Sequence, residues 1–351
     1  MVEAVIAAGI SALLYHLGMG FLLFGVPLQV VLVRRGRAPF LAALGMAFAL
    51  ILAVKLVIQG GGVGPQAAPF LLLEMFVVLA LLGGLVLIQL PDLFPGIQIP
   101  PMRRVTRLVL ATAAVGVLSI PLIVYLRSNE PFNAGLREVF DALAGALQRT
   151  FGAQGEAPPN AVGSLGAEAA LSAASLSGPA LMQFVGQIFW RGFLFSYMGL
   201  LGLTWWLATR LGLRFPVRSG GQSLSKDISG GAVRPWPRIA EFRLPDTYVW
   251  PLIASLAVIL LGLFLETGPL GLAAWNAGVI LLFLYGISGI GVLQYLLRKL
   301  KVPRGMRILL GILLCLLVIS PRANLAVFIL IPGLGVSEIW LKYRTRERSN
   351  G

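Results

Sequence analysis

PALMQFVGQIFWRGFLFSYMGLLGLTWWLATRLGL, residues 179–213, decides the class of fold. As one helix this run would be about 52 Å long against a hydrocarbon core of about 30 Å, so it must tilt, break or protrude. Arg191 stands about 18 Å from the Pro179 end, where a charge held in hydrocarbon costs about 2.5–3.5 kcal/mol. Gln183 and Gln187 precede it at four-residue spacing, so the three polar side chains share one helical face. That face is expected to look inward, toward protein or water.

Composition agrees with a membrane setting. Hydrophobic residues make up 58% of the 351 and charged residues only 12%, and the mean hydropathy is +0.88. A soluble chain carries about 25% charged residues. The net charge of +14 would suit nucleic acid only if it gathered on one surface. Instead it follows the loops, in the segments carrying Arg34, Arg35 and Arg37; Arg103, Arg104 and Arg107; Arg210 to Arg243; Arg298 to Arg307; and Lys342 to Arg348. Of the 28 basic residues, only Lys55, Arg127, Arg137, Arg149, Arg191 and Arg322 lie elsewhere. This is the positive-inside pattern, and it explains the charge without nucleic acid. One cysteine, Cys315, excludes an intramolecular disulfide, and one histidine, His16, leaves no zinc-spaced set. No metal or cofactor is expected.

The loops set the layout. Ala4–Val33 reads as a first span ending at the inner arginines, with the N-terminus outside; Gly18, Gly20, Gly25 and Pro27 make it a candidate for a broken or re-entrant helix. Spans follow at about Pro39–Ile58, Phe70–Leu90 and Val105–Leu126. Residues 127–178 form an outer loop in which Leu136, Val139, Phe140, Leu143 and Leu147 fall on one face of an amphipathic helix. After the span at 179–213, residues 214–246 form a polar cytoplasmic loop. Spans at Thr247–Leu265 and Leu270–Leu297 come next, and SPRAN at 320–324 splits Gly305–Trp340 into two short helices, leaving the C-terminus cytoplasmic. The expected architecture is all-α: a polytopic transmembrane helical bundle of about eight or nine spans, with the outer amphipathic helix between spans four and five. Residues 1–351 are expected to form one integral membrane domain.

Few constellations carry chemistry. Lys55 and Glu74 flank the turn GGGVGPQAAP at matching depth, so they form either a gate on a solute or proton path or a clasp between helices. Arg191 with Gln183 and Gln187 can bind an anionic or polar solute through its planar fork, or it can satisfy protein acceptors. Asn276 can join that polar interior or hydrogen-bond between helices. His16 is expected as a packed, hydrogen-bonded side chain in preference to a ligand. Ala4, Ala8 and Ala12 form a small-residue stripe suited to close packing, within the chain or against a membrane protein partner. GISGIG at 286–291 follows no strand, so it is a weak phosphate loop. No nucleophile stands beside a base, and no enzymatic activity is expected.

FRLPDTYVWPLIASL at 242–256 and WNAGVILLFLYGISGIGVLQYLLRKLKVP at 275–303 place an aromatic and a proline before one span. An asparagine opens the next, which has glycines at its middle and a basic exit. In this pattern, and in its short terminal hairpin, the chain resembles the YybS-like family of predicted bacterial membrane proteins. That family is distantly similar to the substrate-capturing subunits of energy-coupling-factor vitamin importers. The resemblance implies a bacterial plasma membrane location and solute capture, with a small-residue stripe on an early helix meeting a coupling partner. It implies no catalytic residue. The expected function is therefore binding or transport of a small solute through a polar intramembrane site; the alternative is a scaffold or accessory subunit of a larger membrane complex.

Overall fold

The computed structural model describes residues 1–18, 23–58, 68–93, 104–152, 177–214, 239, 242–320 and 324–344. The turn glycines at 60–64, most of the segment expected as an outer loop after Gly152, the segment from 215 to 238 expected as a cytoplasmic loop, the residues of SPRAN after Ser320 and the tail beyond Arg344 lie outside the described residues. The helices are α1 (Val2–His16), α2 (Gly25–Arg35), α3 (Arg37–Ile58), α4 (Ala68–Leu93), α5 (Arg104–Ser128), α6 (Glu130–Gly152), α7 (Gly178–Arg214), α8 (Val249–Leu261), α9 (Gly268–Lys299), α10 (Arg304–Ile319) and α11 (Asn324–Leu341). Among the described residues there is no strand, and α3, α4, α5, α7 and α9 are each long and apolar enough to cross a bilayer. The fold is an all-α membrane bundle. Its chain, expected as a single domain, divides into two compact units: residues 1–190 with 197–233, and residues 191–196 with 234–351.

In the first unit the alanine stripe is buried. Ala4, Ala8 and Ala12 are covered on α1, and the neighbouring α3 buries Phe40, Ala43, Ala47 and Ile51. Small side chains let two helices approach closely, and that contact is intrachain. The first thirty residues do not cross once. α1 is about 22 Å long and α2 about 16 Å, each short of a hydrocarbon core of about 30 Å. The chain breaks after His16 near Gly18, whose φ of +65° suits glycine. It then returns, so that both Arg35 nitrogens reach the Glu3 carboxylate, at 2.8 and 2.6 Å. At its other end α1 brings Tyr15 to Glu74, which follows the outer turn. The expectation that the N-terminus lies opposite Arg34–Arg37 is corrected: the Glu3–Arg35 pair puts both at the same end of the unit.

α5 and α6 meet at a hydrogen-bonded corner. Asn129 Oδ1 accepts from the Phe132 amide, an N-terminal cap, while Asn133 Nδ2 donates to the carbonyls of Leu126, Arg127 and Asn129. α6 is the expected amphipathic helix. Val139 and Leu143 on its apolar face are exposed to the surroundings, as suits a helix lying at a membrane surface.

In the second unit α9 packs chiefly on α11 and α8. The contact with α11 is backbone against backbone. A Cβ on Gly289 would run into the Ile331 carbonyl, and one on Gly335 into the Tyr285 carbonyl. GISGIG is thus a helix-packing surface inside α9, and the weak phosphate-loop reading is set aside. Gly286 is different, since its nearest neighbour, Pro332 Cγ, would be 3.8 Å from an added Cβ.

Gly289→Ala is therefore expected to destabilise the protein by about 3 kcal/mol or more through overpacking, whereas Gly286→Ala should be neutral or slightly stabilising in helix propensity. Thermal melts of the two variants in detergent check the contrast. The hairpin makes a second prediction. Single cysteines replacing Val2 and Ala38 in a Cys315→Ser background should respond alike to a membrane-impermeant thiol reagent in intact cells, and a split response would refute the shared end.

Candidate functional site

Three polar groupings stand out in an apolar molecule. The first lies at the far end of the first unit from Arg35. Glu74 Oε1 lies 2.6 Å from Lys55 Nζ and accepts a 2.6 Å hydrogen bond from the Tyr15 hydroxyl. Lys55 Nζ also stands 5.9 Å from the centroid of the Tyr15 ring. The sequence-derived pair is therefore formed, and Tyr15 joins it to α1. His16 packs edge-on to Tyr15, at 5.3 Å between ring centroids. All of these contacts hold α1, α3 and α4 together, as a clasp does.

The second grouping surrounds Arg191. The face it shares with Gln183 and Gln187 was expected to turn inward, and this is corrected: all three side chains are exposed. The physical reason lies in where the helix enters the bilayer. Arg191 is about 28 Å before Arg210 along α7, so a hydrocarbon layer of about 30 Å measured from Arg210 ends at Arg191. With Arg210 at one boundary of such a layer, Arg191 falls at the other. Its guanidinium lies over the Trp275 ring, 5.1 Å from the centroid, while Arg210 lies over Trp206 at 5.5 Å. Paired arginine and tryptophan at each level is the pattern of interfacial anchoring. Asn276, next to Trp275, is buried; its Oδ1 accepts from the Leu194 amide at 3.1 Å, and its Nδ2 donates to the Leu272 carbonyl. It is an interhelical bond to the helix that carries Arg191, whose guanidinium lies over the neighbouring Trp275.

The third grouping was not anticipated. Glu338 on α11 is 2% exposed. Arg344, just past that helix, donates from Nε to Glu338 Oε1 at 2.6 Å and from Nη2 to Oε2. Nη2 also donates to Ser288 Oγ at 3.2 Å, and Nη1 to the Phe242 carbonyl at 2.8 Å. The Ser288 hydroxyl in turn donates to Glu338 Oε2 at 3.4 Å. Beside this network lies a small, shallow pocket lined by Arg243, Asp246, Tyr285, Ser288, Gly335 and Glu338 among others. The Tyr285 hydroxyl, on a residue 1% exposed, has no hydrogen-bond partner. A buried hydroxyl without a partner costs about 1–3 kcal/mol. One signal for this site was present in sequence, since Glu338 is the only acidic residue in the apolar run of α11.

Among the described residues no three potential metal ligands gather. The helices and their polar ends define an integral membrane protein of the all-α class. Residues 229–332 match a family described as Predicted membrane protein (DUF2232). The matched stretch covers α8 to α10 and the first half of α11, and so includes Arg243, Asp246, Tyr285 and Ser288. No curated protein and no solved structure matches the chain.

The clasp makes a double-mutant prediction. Lys55→Glu should lower stability by about 1–3 kcal/mol by setting two carboxylates together, and adding Glu74→Lys should recover part of that loss. Strictly additive losses in thermal melts would exclude direct contact.

Proposed function

We propose that this protein is a multi-pass protein of the bacterial plasma membrane that binds a small polar solute at the Tyr285 pocket and passes it across, without enzymatic activity of its own. The observation that carries this reading is the Tyr285 hydroxyl: buried, unpartnered and set in a pocket whose other polar groups are Arg243, Asp246, Ser288 and Glu338. A protein keeps such a group at a cost in stability, and a bound solute recovers that cost by pairing with it. The likeness to the YybS-like family, and through it to solute-capturing importer subunits, supports the same role. The basic last turns of α2 and α9, and the basic residues that follow α11, support a cytoplasmic placement of those ends. The N-terminus, paired through Glu3 with Arg35, is cytoplasmic as well, and so is the mouth of the pocket beside Arg344.

A second reading, that of a scaffold or accessory subunit, draws on a specific observation. Asn276 and the Lys55–Glu74–Tyr15 cluster each bind helix to helix and leave nothing obvious for a ligand. The two readings separate on one substitution. Under solute binding, Tyr285→Phe should leave the empty protein as stable or slightly more stable while abolishing a small molecule that co-purifies with the wild type. Native mass spectrometry and thermal melts measure both. Loss of stability in Tyr285→Phe, with no co-purifying molecule in the wild type, would favour the scaffold.

A further inference from the structure

Resting on the reading of this pocket as a solute site, we propose that its solute is a small organic cation, a guanidinium or primary ammonium compound, and that Arg344 is a built-in occupant which the solute displaces from Glu338. The groups around Arg344 are acceptors on three sides: the Glu338 carboxylate, the Ser288 hydroxyl oxygen and the Phe242 carbonyl. This is a recognition set for a planar, multiply donating cation. An anion placed there would meet Glu338, and a neutral solute that displaced Arg344 would leave a buried carboxylate without its counter-charge. Only a cation replaces what it removes.

Arg344 is held by a short turn that lies outside the packed helix. The Lys342 amide closes on the Glu338 carbonyl at 3.0 Å, and Lys342 itself adopts φ of +42°, a left-handed conformation that side-chain-bearing residues rarely take. Swinging this turn away relieves that strain and breaks no helix. Departure of Arg344 would widen the small pocket beside the carboxylate, whose lining includes Asp246 and Tyr285, the latter with an unpartnered hydroxyl. Asp246 lies 3.5 Å from Arg243 and is itself well exposed, so it remains available to a second positive or hydroxyl group. Gly291 completes the arrangement, since a Cβ there would press on the Ile239 carbonyl and on Arg344.

The test uses the full chain in detergent. Arg344→Ala opens the carboxylate, and its melting temperature is measured with millimolar methylguanidinium chloride, ethylammonium chloride, sodium chloride, sodium acetate and urea. The two organic cations should raise it by about 4 °C or more above sodium chloride, as ligand linkage gives for a domain-sized protein. Adding Glu338→Gln should remove the rise. No rise with either cation overturns the proposal. A rise with acetate or urea instead overturns the cationic class but leaves the pocket reading standing, and that reading is judged separately by Tyr285→Phe. Should Arg344→Ala fail to fold, the chain with Arg344 intact decides. With Tyr343→Cys in a Cys315→Ser background, displacement of the turn should speed maleimide labelling about threefold or more when either cation is added. An unchanged labelling rate overturns the proposal.

Discussion

A carboxylate removed from water between close-packed helices needs a positive partner and hydrogen-bond donors to offset its lost hydration, and the second unit supplies both to Glu338. α9 and α11 approach so closely at Gly289 and Gly335 that their backbones touch. That approach brings Ser288 to Glu338 and leaves Tyr285 facing the same space. The chain past α11 then turns back through Lys342 to deliver Arg344. Glycine packing, the helix-ending turn and the ion pair depend on one another, because loosening the helix contact would move two of the three acceptors that hold the guanidinium.

The first unit solves the same problem differently. Among its first four helices, two ion pairs stand at opposite ends, Glu3 with Arg35 at one and Lys55 with Glu74 at the other, and alanines and large apolar side chains are buried between. The polar side chains buried between, such as Gln29 and Gln89, meet each other at 3.4 Å. End-placed ion pairs cost less to desolvate than central ones, and they fix which helix ends stand side by side.

Much of this was legible in the residue order. Long apolar runs mark α3, α4, α5, α7 and α9, and the spacing from Leu136 to Leu147 marks α6. Lys55 and Glu74 could be paired because a short turn fixes their relative depth. What resisted reading depended on contacts between residues distant in sequence. Glu3 and Arg35 are brought together by a chain reversal that glycines and a proline permit but do not orient. Arg191 looked deep because the helix was measured from its Pro179 end, whereas measurement from Arg210 puts the arginine at a boundary. Glu338 was overlooked because it lies in an apolar helical run, while its partners come from the tail beyond that helix, in Arg344, and from α9, in Ser288. GISGIG shows the limit of motifs: the same glycines that can cradle a phosphate also let two helices touch.

The reversal of the chain between α1 and α2 bears on how the protein enters its membrane. A hairpin with both feet on one side can be inserted as a loop, so Glu3 and Arg35 need not be carried through hydrocarbon or across the membrane potential, where each unit charge is worth about 2.3 kcal/mol per 100 mV. The Glu3–Arg35 contact can then form as soon as Arg35 has been synthesised, before α3 is threaded. The first helices would thus be assembled against one another early, with α3 laid against a surface of alanines already in position.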